Sequence, residues 1–388
     1  MTSLTTFTLN SVTDIDDSCW QSVNKDDNTY FSSEFLKAFE SSNPNIDFKY
    51  ILVKKNGNPV ALATIQIIKL SIDVILKNIK LASWLKRFLN FIFCREHINI
   101  MFCGNVFLSG EHGIIICDNE NKTDILNAIG LEINSLVMQT KPLHAVFIKD
   151  FVKASRELTD NFQDFGFTPM HVEPNMIISI DPEWKSFEDY KNALKSKYRV
   201  KANKADKTSS SLKARLFSET DFATYKDELQ QLYQNTIDNA NFNAQVLNLD
   251  TYIKLRAAYH EDFIVKAYFY NDKLVGFLSA LANNHHLDAH FIGLDYSLNK
   301  THAIYPRILN DYIRIGIEKK VSYINLGRTA SEIKTTVGAT PIELTCYLKL
   351  KRPVVNKLLI PFIKRVQIKD FKQHYPFKTK EEAVLASS

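Results

Sequence analysis

The five cysteines of this 388-residue chain, Cys19, Cys94, Cys103, Cys117 and Cys346, form no C-x-x-C pair, and their number is odd. Their spacing supports neither a zinc site nor a disulfide framework and points to reduced thiols in a reducing compartment. The histidines do not make up for this. His285 and His286 would point to opposite sides of a strand, and His286 and His290 would lie roughly 13 Å apart along one, too far to share a metal. No metal is expected. Also missing is any run of about 18 uncharged apolar residues, so no membrane span is expected. Residues 1–10 are polar and uncharged, without the basic start and apolar block of a signal peptide. The formal charge of +5 is too small at this length to imply nucleic acid by itself. These absences describe a cytoplasmic protein. With 45% hydrophobic and 23% charged residues the chain can bury an ordinary core, and its length suggests two or three domains.

What is present begins with a repeat. Residues 47–55 (DFKYILVKK) read as a strand, Asn56-Gly57-Asn58 as a hairpin turn and residues 59–70 (PVALATIQIIKL) as the returning strand. Residues 262–270 (DFIVKAYFY), Asn271-Asp272-Lys273 and residues 274–282 (LVGFLSALA) repeat that unit, with Ala61 and Gly276 as the small residue early in each return. Each hairpin is followed by strand, helix and strand: 98–108, 121–140 and 144–149 in the first half, and 286–294, 303–319 and 323–326 in the second. The second helix places Ile304, Ile308, Tyr312 and Ile315 three or four apart on one apolar face. The order β-β-β-α-β implies an α/β (α+β) mixed sheet with helices packed on it, and its recurrence implies a duplicated domain. Pro174 and Pro182 bracket a short strand at 176–180, and a basic run over 187–207 follows. The expected division is 1–180, 181–350 and a C-terminal tail, 351–388.

The stretch 288–341, with its strand-helix-strand order, its Leu326-Gly327-Arg328 strand end, and Lys334, Gly338 and Pro341 following, resembles the C-terminal half of Fem-like tandem acyltransferases of the GNAT superfamily. Residues 190–207 (YKNALKSKYRVKANKADK) resemble the basic helix those proteins place between their halves. The resemblance covers most of the chain, though only the last third is specific. It implies two tandem GNAT-like acyl-N-acyltransferase domains and transfer of acyl or aminoacyl groups onto amines, with chemistry in the C-terminal half. One departure stands out. GNAT enzymes grip coenzyme A pyrophosphate with a Q/R-x-x-G-x-G/A turn, whereas this chain has Leu298-Asn299-Lys300-Thr301-His302-Ala303, without glycine. That weakens the case for classical acetyl-CoA use. Backbone N–H groups at the helix start, assisted by Lys300, would then have to hold phosphate.

Amine acylation needs a proton acceptor, an oxyanion stabiliser and a donor held in line. Arg328, at a strand end where open α/β folds bind ligands, is placed to clamp phosphate or carboxylate; otherwise it is a surface arginine closing a loop. Lys334, in a Thr/Ser-rich stretch, suits phosphate binding or carbonyl polarisation, against simple solvation. Asp288 and His290 alternate on one strand face and are the candidate bases, against sheet-face hydrogen bonding. Tyr305, in the first helical turn before Pro306, suits protonation of a leaving thiolate, against a core aromatic. Asn325 alternates away from Ile324 and Leu326, towards the cleft or a neighbouring loop. In the first half, Cys103-Gly104-Asn105 ends a strand in a similar place with no Arg-Lys motif nearby, which suggests a half that shapes access and does not catalyse.

Residues 71–95 and 349–372 set basic side chains against large apolar ones, the pattern of helices that lie on anionic membranes, or else of helices packed on their own domain. The leading reading is N-acyl transfer from a thioester co-substrate, acyl-CoA or acyl carrier protein, to a small-molecule or lipid primary amine, with no permanently bound cofactor. It implies a cytoplasmic protein peripheral on the inner membrane face. No G-x-S-x-G motif occurs and no cysteine has an evident partner, so direct attack in a ternary complex is expected. The alternatives are a Fem-type aminoacyl-tRNA-dependent transferase on a cell-wall precursor, in which the basic run meets RNA phosphates, and a catalytically silent module that keeps the fold for binding.

Overall fold

The computed structural model describes residues 4–71, 97–240, 244–357 and 370–378. The chain forms two compact units, each discontinuous in sequence. The first comprises Met1–Glu173, Ala240–Thr251 and Glu343–Ile368, and the second Pro174–Asn239, Tyr252–Ile342 and Lys369–Ser388. The expected linear division at 180 and 350 therefore differs from the compact units, because short segments from beyond each half complete it.

In the first unit, strands β1 (Leu4–Leu9), β2 (Asp47–Lys55), β3 (Asn58–Ser71) and β4 (His97–Cys103) pair antiparallel in sequence order, and the short β5 (Ile114–Ile116) pairs with β3. β4 then pairs parallel with β6 (Ala145–Val152). Residues 344–350, the later part of a strand spanning Thr340–Leu350, close the sheet antiparallel to β6. The helix Lys122–Gln139 packs Ile125, Ile129, Ile133 and Leu136, spaced by one turn, onto this sheet. Its start is fixed by Asn121, whose side chain accepts from the N–H groups of Thr123 and Asp124.

The second unit repeats the plan. β7 (Thr168–Ser179) contributes residues 177–179, and β8 (Lys213–Leu216), β9 (Phe263–Tyr270), β10 (Lys273–Asn283) and β11 (His286–Leu294) pair antiparallel in sequence order. β11 pairs parallel with β12 (Tyr323–Asn325), which pairs antiparallel with residues 177–179. Both units thus run three antiparallel pairings, one parallel and one antiparallel, so the repeated hairpin is one part of a six-strand repeat. The hairpin turns agree in detail: Asn56 (φ 50°) and Gly57 (φ 86°) in one, Asn271 (φ 49°) and Asp272 (φ 60°) in the other, are left-handed pairs that match strand twist. The Ile304–Glu318 helix buries Ile304, Ile308, Tyr312 and Ile315 as its spacing requires, and truncating Ile308 to Ala costs about 2–5 kcal/mol. The Lys226–Asn239 helix lies so close to β11 that a Cβ on Gly293 would come within 2.7 Å of Leu232.

Several expectations change. The 98–108 strand stops at Cys103, because Gly104 turns at φ 129°. The strand expected at 176–180 is the end of a longer one. The 187–207 run is two helices, Phe187–Ala193 and Ser196–Thr208, broken where Leu194 is extended. Part of the expected tail is packed. Leu194 and Phe377 form a β-bridge, the Lys195 N–H donates to the Pro376 carbonyl (2.8 Å), and Phe377 fills the space over Gly338, whose φ of 98° already favours glycine. Residues 72–95 of the first amphipathic stretch and 358–369 of the second lie outside the described residues. Among the described residues no helix is long and apolar enough to cross a membrane.

A buried charge cluster ties the Ile304–Glu318 helix to its surroundings. Asp311, fully buried, meets Lys266 (3.1 Å), Arg307 (3.1 Å), Arg314 (2.6 Å) and the Tyr268 hydroxyl (2.8 Å). Burial alone would raise its pKa, but the three cations outweigh it and hold the carboxyl below its usual range. A depressed carboxyl stabilises the fold above the unfolded value of about 4, and that contribution fades as pH falls below it. Asp311→Ala should therefore lose about 3–5 kcal/mol in urea unfolding at neutral pH, because Lys266 loses its carboxylate and Arg307 and Arg314 are left to share Asp206. The gap to wild type should narrow at about pH 3. A loss under about 1 kcal/mol at neutral pH would show that the cluster carries little stability.

Candidate active site

The site is built where β11 and β12 part. Their parallel ladder has only three rungs, His286 with Tyr323, Leu287 with Ile324 and Asp288 with Asn325. Beyond Asn325 the chain stays beside β7: the Leu326 N–H donates to the Met176 carbonyl (2.8 Å), and the Met176 N–H to the Gly327 carbonyl (3.1 Å). β11 continues for six more residues paired only with β10 among the described residues. The fork opens at the carboxyl ends of the parallel strands, where open α/β sheets take ligands.

Asp288 sits at the apex, 5% exposed. Its Oδ1 accepts from Asn325 Nδ2 (3.0 Å), and its Oδ2 lies 3.0 Å from His286 Nε2. The His286 ring stacks on Tyr323 at 4.8 Å with the planes 4° apart. Burial, with the Asp288 charge second, raises the Tyr323 pKa, so that phenol keeps its proton. His286 was weighed only as a metal ligand, yet its spacing of two from Asp288 on a strand already put both on one face. His290, two residues on, is directed towards β9, with its ring 6.1 Å from Phe263. It lies in a bulge where Ser279 of β10 opposes both His290 and Phe291. Ser279 Oγ replaces the missing rungs by bonding the Phe291 N–H (3.0 Å) and carbonyl (2.7 Å), while the Tyr252 hydroxyl meets Ser279 Oγ (2.6 Å) and the Tyr312 hydroxyl donates to the Ser279 carbonyl (3.0 Å).

The other arm of the fork is a fastened loop. Asn325 Oδ1 accepts from the Gly327 N–H (2.9 Å), so this one amide joins Asp288 to the strand end. Lys334, on the short helix Ser331–Thr335, turns its ammonium inward to the carbonyls of Leu326 (2.7 Å), Gly327 (3.3 Å) and Arg328 (2.6 Å). It is buried, so neither a solvated lysine nor an open phosphate ligand describes it; it shapes the loop that presents Arg328. Gly327, Thr329 and Ala330 all have positive φ, and for Thr329 and Ala330 that conformation is strained. The His374 N–H donates to Thr335 Oγ1 (3.1 Å), pinning the same helix from its far side.

The region expected to hold phosphate differs. Instead of one helix from Ala303, a seven-residue helix Tyr296–His302 precedes the one at Ile304, and Lys300 is exposed in its last turn. In the first turn of the longer helix, the Tyr305 N–H is taken by Asn299 Oδ1 (2.9 Å) and Pro306 has no N–H. This start therefore lacks the free donors an anion cradle needs. Tyr305 packs against the core of the unit, and burial, with Tyr296 second, raises its pKa, so its phenol stays protonated. Burial also pushes the Cys103 thiol up to about 12, which leaves it unreactive at neutral pH. Among the described residues no three His, Cys, Asp or Glu side chains converge as metal ligands would.

The apex can be tested directly. Asn325→Leu removes one donor and one acceptor, leaving Asp288 Oδ1 and the Gly327 N–H each short of a partner, and should destabilise by about 2–4 kcal/mol in chemical unfolding. Asn325→Asp keeps the acceptor for Gly327 but sets two carboxylates together. Its melting-temperature deficit should shrink at about pH 4, where one of them is protonated. A deficit independent of pH would show that the two side chains do not meet.

No family model matches the sequence, and no curated protein matches it. Solved structures do match. A tandem GNAT protein from the clavulanic acid biosynthesis pathway aligns with a TM-score of 0.54 at 8% identity, over 90% of this chain and 99% of that one. FemX aligns at 0.50 and 12% identity, over 84% and 93%. L-PGS from Bacillus licheniformis aligns at 0.50 and 12% identity, over 90% and 97%. At such identities the likeness concerns the path of the backbone, and with the repeated six-strand plan and the forked strand pair it establishes that the chain has the tandem GNAT fold, one GNAT-like domain in each unit.

Proposed function

We propose that the chain is an N-acyltransferase that moves an acyl group to a primary amine at the fork between β11 and β12. The observation that carries this reading is the Asp288–His286 couple, a buried carboxylate at the apex of the fork with an imidazole 3.0 Å away on the ladder side, stacked on Tyr323. His286 is the more exposed of the two, at 22% against 7% for the side chains. With its Nε2–H directed to Asp288, its Nδ1 is the free basic nitrogen, and Asp288 fixes the tautomer and steadies the imidazolium. The amine gives its proton to this couple as its nitrogen attacks the acyl carbonyl. A C–N bond forms, and the bond to the leaving sulfur or oxygen breaks. The proton the leaving group takes up returns from the imidazolium of the couple, since the burial that raises the Tyr305 pKa makes that phenol a poor donor. Arg328, presented by the loop that Lys334 fastens, offers a fixed positive charge for a phosphate or carboxylate of either substrate.

Thioester donors, acyl-CoA or acyl carrier protein, fit this scheme, and so does a primary amine carried by a small molecule or a lipid head group. A second reading, aminoacyl transfer from tRNA, is favoured by one observation: the helix start at Ile304 has few free N–H groups for a pyrophosphate. The likeness to FemX and L-PGS supports it as well.

The purified protein should be offered acyl-CoA, acyl carrier protein thioesters and aminoacyl-tRNA with a panel of primary amines, following release of thiol or free tRNA. One donor class should turn over. With it, Asp288→Asn and His286→Gln should each lower kcat by about 10²–10⁴-fold with little change in KM. Turnover with no donor, or full activity in both variants, would overturn the proposal. Native mass spectrometry of what copurifies with wild type and is lost in Arg328→Ala would then name the donor class.

A further inference from the structure

The Ser196–Thr208 helix has an outward face that the transfer chemistry does not use. Lys197, Lys201, Lys204 and Lys207 are all exposed, and at about 100° per residue they share roughly a third of the helix circumference. Val200 lies among them, 59% exposed. The opposite side carries the buried Ala202 and Ala205. The single acid of this helix, Asp206, is turned inward, where it accepts from Asn310 Nδ2 (3.0 Å) and pairs with Arg314. The outward face is therefore uniformly positive, and among the described residues none of the four lysines is in an ion pair. Lysines three and four apart repel, which destabilises a helix unless something outside supplies the negative charge.

We propose that this face docks the chain on an anionic lipid bilayer. Lysines at the rim of a surface are drawn to acidic head groups, and a bulky apolar side chain at their centre enters the boundary between head groups and acyl chains. Two features favour a bilayer over RNA. The only aromatic ring of this helix, Tyr198, is half-buried with its hydroxyl 3.2 Å from His374 Nδ1, so no ring is presented for a base to stack on. The face presents lysines, which bind as point charges, and no arginine fork, because Arg199 is half-buried in a groove beside Trp184 and Phe377. This surface is independent of the transfer reading: it would stand if the chain proved not to transfer acyl groups.

The test is co-sedimentation of the full chain with vesicles of phosphatidylglycerol and phosphatidylcholine and with vesicles of phosphatidylcholine alone. Wild type should bind the anionic vesicles and not the neutral ones, and should release at about 1 M salt, where charges are screened within about 3 Å. Replacing all four lysines by glutamine should weaken binding by roughly 600-fold, each exposed lysine near a membrane being worth about fivefold. Replacing all four by arginine should preserve it, and Val200→Asp should weaken it. Circular dichroism and an unchanged melting temperature would confirm that the variants fold. Equal binding by wild type and the glutamine variant would overturn the proposal. So would a wild type that ignores anionic vesicles, or one that binds a structured RNA through these lysines while leaving vesicles in solution.

Discussion

A parallel pair of strands that separates leaves backbone donors and acceptors facing a gap, and burying them unbonded costs about 1–3 kcal/mol each. The second unit depends on how that demand is met. Asn325 spends its amide on both sides of the gap, donating to Asp288 and accepting from Gly327. Lys334 closes the account of the departing strand by serving three successive carbonyls. The fork can stay open because its edges are bonded from within. The same bonds fix where Asp288 and Arg328 stand.

The plan of the fold was legible in the sequence, and the reasons are specific. Both hairpins carry Asn, Gly or Asp at positions where left-handed φ is needed, and the Ile304–Glu318 helix shows its apolar face at helical spacing. The placement of Asp288 beside Asn325 was not legible, since it depends on the register of two strands far apart in sequence. Nor was the inward turn of Lys334. A lysine in a polar stretch reads as solvated, and only the left-handed backbone at Gly327, Thr329 and Ala330 curls the carbonyls around it. The extra helix Tyr296–His302 was missed because its sequence continues a helical pattern straight into Ile304. The break is a single left-handed residue, Ala303 at φ 48°, which has no signature in side-chain type.

The first unit meets the same demand with different residues. Its parallel strands β4 and β6 also part, after Cys103 and Ile148. There Lys149, from β6 itself, donates to the carbonyls of Asn105 (2.6 Å) and Leu108 (3.0 Å). The neighbouring Asp150, buried with a left-handed φ of 70°, accepts from the Cys346 thiol (3.1 Å). A lysine fastens the loop after the inner parallel strand in one unit and after the outer one in the other. The same plan is held by different side chains in the two units, with Cys103 on the last parallel rung of the first where the second has Asp288.

The sixth strand of the first unit comes from beyond the second unit's core, whereas that of the second unit, residues 177–179, directly precedes its own core. The first unit is finished by residues 344–350, so that Asp150 and Cys346, 196 positions apart, become neighbours. On a ribosome, β6 would leave the exit tunnel with one edge unpaired and wait while the whole second core is made. An unpaired edge is where strands of different molecules add to one another, and a loop of that length closes slowly. The wait carries a hazard: the first sheet is not complete until residue 350 has been made, so a prematurely ended product exposes the edge of β6.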